Sequence, residues 1–285
     1  ALQDAEFVLA QIRVGKLPAR AKDEKIPLKY GLIGQETCGM GGMFKGFRTI
    51  PVMLNIVKLM EKCCPNAWLI NFSNPSGLIA QALLNHTNVK MMGLCNVPIN
   101  MIDGIKRRLN LPNAKVEYIG LNHFTYVTSI EDGGKDYLNE ALEQGVNSEA
   151  MKNIPASGFS AEQIKAIGGI PSSYLEYYYL KDSKLEKLRK AEKTRAEVCM
   201  ELEEQLLDLY KDASLHVKPE QLSKRGGARY SEVAVNLVNA IYNDLQEVHV
   251  VNVLNNGALD FLQDNDAVEI QAIVGKDGAR PIKAT

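Results

Sequence analysis

Two residues able to bind a metal stand at the ends of short apolar runs. Met91-Met92-Gly93-Leu94 reads as a buried strand with Cys95 just past its end. Val116–Ile119, apolar at alternate positions, is followed by Gly120-Leu121-Asn122-His123. Between them Ile99–Leu109 is apolar at helical spacing and ends in Arg107-Arg108, which suits the last turn of a helix. Strand, helix and strand of this length predict a βαβ unit with both strand ends on one edge of a parallel sheet. Ligands of open α/β sheets bind outside the carboxyl ends of the strands, so Cys95 and His123 are expected to meet there. A thiolate and an imidazole could share a divalent cation. The spacing leaves a second reading open, in which Cys95 is a small buried apolar residue and His123 a hydrogen-bonded core residue.

The elements around this pair follow from periodicity and breakers. Phe7–Ile12 and Trp68–Ile70 read as strands, and Thr49–Cys63 and Leu78–Asn85 as helices, with Pro51 in a first turn. Asn71-Phe72-Ser73-Asn74-Pro75-Ser76-Gly77 is a strand-to-helix turn that places amide side chains at a strand end. Leu17–Lys29 reads as loop and short helix. The glycine-rich stretch Gly31–Gly46 reads as a close-packed loop, or as one that lets a ligand approach the backbone. It matches neither GxGxxG nor the P-loop, so no phosphate cradle is assigned to it. Up to Thr125 the alternation of strands and helices predicts a doubly wound, Rossmann-like sheet.

After Thr125 the pattern changes to mixed α+β. Tyr126–Ile130 continues as strand into an Asp132-Gly133-Gly134 turn, and Tyr137–Gly145 is helical. Asn147–Gly169 has little periodicity. The aromatic segment from Tyr174 to Tyr179 precedes a long amphipathic helix over Lys184–Leu207. Gly226-Gly227 breaks the chain, Tyr230–Asp244 is helical, Val248–Leu254 and Ala267–Val274 are strands, and Asp277–Thr285 ends on a turn. The expected division is therefore 1–125 and 126–285.

Composition excludes several classes. The 285 residues carry a net charge of −1, which gives no electrostatic case for nucleic acid or an acidic membrane surface. No apolar run reaches the roughly 18 residues of a spanning helix. Five cysteines, an odd number that includes the adjacent pair Cys63-Cys64, argue against a disulfide framework and for the cytoplasm. The chain opens on Ala1 without a Met and runs straight into a strand pattern, so it is expected to be cut from a longer sequence on both sides.

Many ordered motifs together resemble one family. They include RVGKLPARAKDEKIPLKYGLIGQET from Arg13, NFSNPSG from Asn71, GLCNVPIN from Gly93, GLNH from Gly120, IPSSYLEYYY from Ile170, KTRAEV from Lys193, RGGARYSEVAVNLVNAIYND from Arg225 and NVLNNGAL from Asn252. The chain resembles the NAD- and divalent-metal-dependent glycosidases of glycoside hydrolase family 4, and within it the bacterial branch acting on 6-phospho-β-glucosides. The family departs from the two-carboxylate scheme of most glycosidases. The resemblance implies that NAD⁺ takes a hydride from C3 of the sugar, a tyrosine removes the acidified C2 proton, the group at C1 is eliminated, water adds, and the hydride returns.

By motif position, the resemblance implies that Cys95 and His123 hold a Mn²⁺-type ion and that Tyr174 is the base, with Tyr177 as substitute should Tyr174 point away. Asn74 would hydrogen-bond the sugar, and Arg20 and Arg195 would clasp the 6-phosphate. Asn96 stands where the α-glycoside branch carries Asp as acid, which points to the β-linked branch. Residues 1–125 would then be the remainder of an NAD-binding domain and 126–285 the substrate domain. No residue is assigned to the nucleotide, because the family's Gly-rich first turn and its last segment have no counterpart here. On that ground the chain alone is expected to bind NAD poorly and to be inactive. The expected partners are a phosphorylated disaccharide or aryl glucoside and further copies of the chain, as a dimer or tetramer. Other readings are a 6-phospho-α-glucosidase or other family 4 glycosidase, and an NAD-dependent 2-hydroxy-acid dehydrogenase, which would need a His–Asp relay.

Overall fold

The computed structural model describes residues 2–147, 158–226 and 229–284. In chain order, β1 (Phe7–Ala10) leads to α1 (Lys16–Lys29) and α2 (Gly39–Cys63), then β2 (Trp68–Asn71), α3 (Ser76–His86), β3 (Lys90–Gly93) and α4 (Val97–Leu109). β4 (Lys115–Leu121), β5 (Phe124–Asp132), β6 (Lys135–Asp136), α5 (Leu138–Glu143), α6 (Ala161–Ile167) and β7 (Ile170–Pro171) follow. A 3₁₀ turn at Ser173–Leu175 enters α7 (Glu176–Tyr179), then come α8 (Lys181–Lys190), α9 (Arg195–Leu209), α10 (Glu220–Arg225) and α11 (Tyr230–Tyr242). The last strands are β8 (Glu247–Leu254), β9 (Ala267–Gly275) and β10 (Gly278–Pro281).

One sheet has the order β1-β2-β3-β8-β9-β10, with β1, β2 and β3 parallel and the rest antiparallel. Successive residues of a strand face opposite sides, and both sides are covered. Leu69 and Met91 point to Met53, Val57 and Met60 of α2 and Ile79 and Leu83 of α3. Ile70 and Met92 point to Leu237, Ala240 and Ile241 of α11. Apolar faces on both sides explain why the short parallel strands read as near-continuous hydrophobic runs. The architecture is the expected α/β sheet with helices on both faces and a second, β-rich unit. That unit is a sheet of β4, β5 and β6, with β7 against β5, packed on Met101 and Ile105 of α4.

Several expectations are corrected here. The βαβ unit does not form: β4 leaves the first sheet and pairs antiparallel with β5, with Leu121 opposite Phe124 and only Asn122-His123 between them. A pattern of alternating apolar residues does not say which strand lies next door. The two halves divided at 125 share a sheet, because β8, β9 and β10 pair onto β3. Residues 16–29 are helical throughout; α1 buries Arg20, Asp23 and Glu24 in ion pairs, so apolar periodicity cannot reveal its inner face.

α2 starts at Gly39, inside the glycine-rich stretch, which puts Pro51 mid-helix. A Cβ on Gly41 would lie 2.2 Å from the Gln35 carbonyl oxygen, so glycine serves close packing there. The helix expected over 184–207 is two, α8 and α9, separated where Thr194 and Glu197 form a reciprocal cap. The end expected as a turn carries β10. Of the stretch 147–169, positions 148–157 lie outside the described residues, as does Gly227 of the Gly226-Gly227 break.

Candidate active site

The strand ends converge on a polar cavity of about 540 Å³, lined among others by Arg13, Arg20, Glu36, Lys45, Asn74, Cys95, Asn96, His123 and Tyr174. A larger, more apolar groove of about 670 Å³ runs along α4, β4 and β8 behind Cys95 and takes in none of the other expected site residues. Cys95 follows β3 and is buried, and Asn96 begins α4. His123 arrives from the second sheet. The two-residue turn places it at φ 65°, in the left-handed region that His adopts more readily than most residues. Gly120, at φ 139°, lets the hairpin close, since a Cβ there would meet the Phe124 carbonyl oxygen at 2.3 Å.

Cys95 Sγ and His123 Nε2 are 3.6 Å apart. A cation bonded to both at about 2.3 and about 2.1 Å, the lengths for zinc, at a tetrahedral angle holds such atoms about 3.6 Å apart. The pair therefore fits a shared ion. Among the described residues no group of three or more His, Cys, Asp and Glu side chains converges on a metal position, so the other ligands would be oxygens from the cavity. On its far side His123 Nδ1 lies 2.9 Å from the Thr37 hydroxyl. With Nδ1–H donating to Thr37, Nε2 is left as the bare nitrogen that a metal needs. Burial pushes the His123 imidazole down to about 3, which keeps it neutral. Burial also raises the Cys95 thiol well above its ordinary range; only a cation or strong donors would make it a thiolate.

Tyr174 stacks on His123, with ring centroids 3.7 Å apart and planes 5° apart. It does not point away from His123, and the ring of Tyr177 lies 6.2 Å from it. Burial, then Cys95 and Cys38, raise the Tyr174 phenol well above 10. Asn74 Oδ1 accepts from the Ser76 amide at 3.3 Å.

The floor of the cavity holds a charge cluster that sequence reasoning passed over. Glu36 takes ion pairs from Arg13, from Arg20 at 2.9 Å and from Lys45 at 2.6 Å. Arg20 is bound also to Glu24, at 2.7 Å. Burial opposes the Glu36 charge, but Lys45, Arg20 and Arg13 outweigh it and hold the carboxyl far below its usual range. Burial pulls Lys45 down to about 8. The signal was present as Glu36 in GQET and Lys45 on α2, but nothing in sequence says that they face each other. Arg195 is not brought in. Its Nη2 donates to the carbonyls of Lys224 at 2.9 Å and Arg225 at 3.2 Å, and Arg225 is the one that lines the cavity.

Comparison with known proteins decides the family. The description "Family 4 glycosyl hydrolase" matches residues 1–111, and "Family 4 glycosyl hydrolase C-terminal domain" matches residues 118–285. The chain belongs to the family 4 glycosyl hydrolases. A probable 6-phospho-beta-glucosidase of Bacillus subtilis strain 168 is 47% identical over 291 residues, which cover 99% of this chain and 66% of that protein. The 6-phospho-beta-glucosidase of Escherichia coli K12 is 44% identical over 294 residues, 99% of this chain and 65% of that protein. The chain thus spans about two thirds of the length of these relatives. Among solved structures, the Thermotoga maritima 6-phospho-beta glucosidase with manganese, NAD+ and glucose-6-phosphate superposes with a TM-score of 0.89 at 34% identity, over 100% of this chain and 67% of that one. Among the described residues of this family 4 chain, no helix is long and apolar enough to cross a membrane.

Proposed function

We propose that the protein is a 6-phospho-β-glucosidase that uses NAD and a Mn²⁺-type cation on phosphorylated disaccharides or aryl glucosides. The observation that carries this reading is the convergence of Cys95, His123 and Tyr174 on one polar cavity, with Asn rather than a carboxylic acid at 96. When bound, NAD supplies a reversible hydride acceptor for C3, and the cation a Lewis acid for the C2 and C3 oxygens.

The chain's own groups do the rest. Cys95 and His123 hold the cation, and Thr37 fixes the His123 tautomer. Tyr174 takes the C2 proton once C3 is a ketone. Its raised proton affinity keeps it protonated, with no site free to accept a proton, until positive charge beside it lowers that affinity. Asn74 hydrogen-bonds the sugar, and Arg20 faces the 6-phosphate with Arg13 and Lys45 of the same cluster. Arg225, held by Arg195, closes the rim. Asn96 has no proton to give, so the C1 substituent leaves without an acid at that position, which suits activated β-linked aglycones. The C1–O bond breaks, water replaces the aglycone, and no net oxidation remains. Residues 1–125 carry the NAD side of the site, and 126–285 bring Tyr174.

Assaying the whole protein with p-nitrophenyl-β-glucoside-6-phosphate, NAD⁺, Mn²⁺ and a reductant tests the reading. The expected result is nitrophenol release without accumulating NADH. Faster turnover of the α-linked substrate would move the protein to the α branch. Accumulating NADH would mean a dehydrogenase, a class already disfavoured because His123 Nδ1 meets a threonine and not an aspartate.

A further inference from the structure

Thr37 fixes the His123 ring only if its own hydroxyl hydrogen points away from that ring, and Gln35 is what draws it away. The Gln35 side chain turns back onto the segment that follows it. Its Oε1 lies 2.5 Å from the Thr37 amide nitrogen and 2.7 Å from that of Cys38. Backbone N–H groups only donate, so two of them aimed at one atom identify it as the oxygen of the side-chain amide. The same Oε1 lies 2.9 Å from the Thr37 hydroxyl oxygen. Two oxygens that close need a hydrogen between them, and Oε1 carries none, so the hydroxyl donates to Gln35.

A threonine hydroxyl has one hydrogen. With it directed at Gln35, Thr37 Oγ1 can only accept from His123 Nδ1, 2.9 Å away. The Cys38 sulfur, 4.0 Å from Oγ1, is too distant to compete on equal terms. Nδ1 therefore carries the ring hydrogen, and the lone pair of Nε2 faces Cys95 Sγ at 3.6 Å. A hydroxyl without the Gln35 acceptor could rotate and donate to Nδ1 instead, which would put the ring hydrogen on Nε2. The frame is firm: the Gln35 carbonyl is packed so closely on α2 that a Cβ on Gly41 would come within 2.2 Å of its oxygen.

We propose that Gln35 is a positioning residue for His123: acting through Thr37, it holds the imidazole in the Nδ1–H tautomer and leaves Nε2 open to a divalent cation shared with Cys95. The proposal rests on the cation reading for the use made of Nε2, and on the hydrogen bonds alone for the tautomer. Partners behind a metal-binding histidine set its tautomer, and their loss weakens metal binding roughly 10–100-fold.

The test reads the ring directly, in metal-free protein carrying nitrogen-15-labelled histidine. The chain has four histidines, few enough to resolve in long-range proton–nitrogen correlations, and His123→Gln assigns the signal. The wild type is expected to show a protonated Nδ1 and a bare Nε2. Gln35→Met keeps the length of the side chain without the acceptor and should move His123 toward the Nε2–H tautomer. Gln35→Glu keeps an acceptor oxygen and should retain the wild-type pattern, a rescue that a merely structural role would not give. Mn²⁺ alone, followed by electron paramagnetic resonance, is expected to bind Gln35→Met about 10–100-fold more weakly than the wild type. A wild-type ring protonated at Nε2, or an unchanged tautomer in folded Gln35→Met, overturns the proposal. Should Gln35→Met not fold, Thr37→Val breaks the same chain next to the ring, and an unchanged tautomer there overturns it equally. Equal Mn²⁺ affinity in a variant whose tautomer has moved overturns the step from ring to cation. A wild type with the Nδ1–H ring that binds no Mn²⁺ upholds the hold of Gln35 on the tautomer and removes the cation reading instead.

Discussion

The base role proposed for Tyr174 needs the ring to be held rigidly and the phenol to lose its proton. Stacking on His123 meets the first need, because two nearly parallel rings 3.7 Å apart leave the phenol little freedom. The same burial works against the second, since desolvation disfavours the phenolate. A proton-abstracting role therefore separates from a packing role by experiment. Tyr174→Phe keeps the stack and deletes only the hydroxyl. In the whole protein it is expected to lower kcat by about 10²–10⁴-fold, with KM and Mn²⁺ affinity little changed. Exchange of the sugar's C2 deuterium with solvent should stop with it. Normal exchange in the variant would mean that another group removes the proton.

At the scale of elements, the charge cluster under the cavity ties α1, the 35–37 segment and α2 together. Arg20 of α1 and Lys45 of α2 both reach Glu36, and Arg48 of α2 grips Asp23 of α1 at 2.9 Å. Glu36→Gln leaves three cations beside a neutral group and is expected to cost about 3–5 kcal/mol in urea unfolding. The pH dependence has a definite sign. The folded carboxyl lies below its ordinary 4.5, so the folded state binds fewer protons there than the unfolded one. Its stabilisation is present above pH 4.5 and is lost as the pH falls below it. The wild type should lose stability more steeply than the variant on acidification through that range; parallel slopes would remove Glu36 as the cause.

The same elements show what the sequence could and could not say. Strands β1, β2 and β3 and helix α3 were legible because their apolar residues have the right period, and β2 and β3 end at Asn71 and Gly93. α1 was not legible: beside Leu17 and Pro27 its buried face is Arg20, Asp23 and Glu24, and charge in sequence reads as solvent-facing. The start of α2 was hidden by glycines, whose close contacts are made by a segment of chain that folds back on it. Cys95 and His123 were found through a βαβ unit that does not exist. They meet because α4 lifts the chain off the first sheet and the β4–β5 turn returns it to the same strand ends. Local pattern located both residues; the pairing that joins them is non-local.

For the molecule as a whole, the shared sheet decides how the chain can be divided. β8 pairs with β3, and β9 and β10 extend the edge, so the strands of 247–281 complete a sheet begun by 7–93. Ile70 and Met92 are covered by Leu237 and Ile241 of α11 and by Val251, all from beyond 125. A chain ending at 125 keeps β1, β2 and β3 with one face stripped of that cover, and uncovering large apolar side chains costs about 1.5–3 kcal/mol each. Residues 1–125 made alone are therefore expected to lack a cooperative thermal transition, whereas 1–285 should melt with Trp68 fluorescence and far-ultraviolet circular dichroism in step. Trp68 is a fair reporter, since its ring packs against the backbone at Gly278 and so senses the returning strands from the other end of the chain. A cooperative transition in the 1–125 piece would show instead that the first half holds its core unaided, and that β8–β10 are an addition to a finished domain.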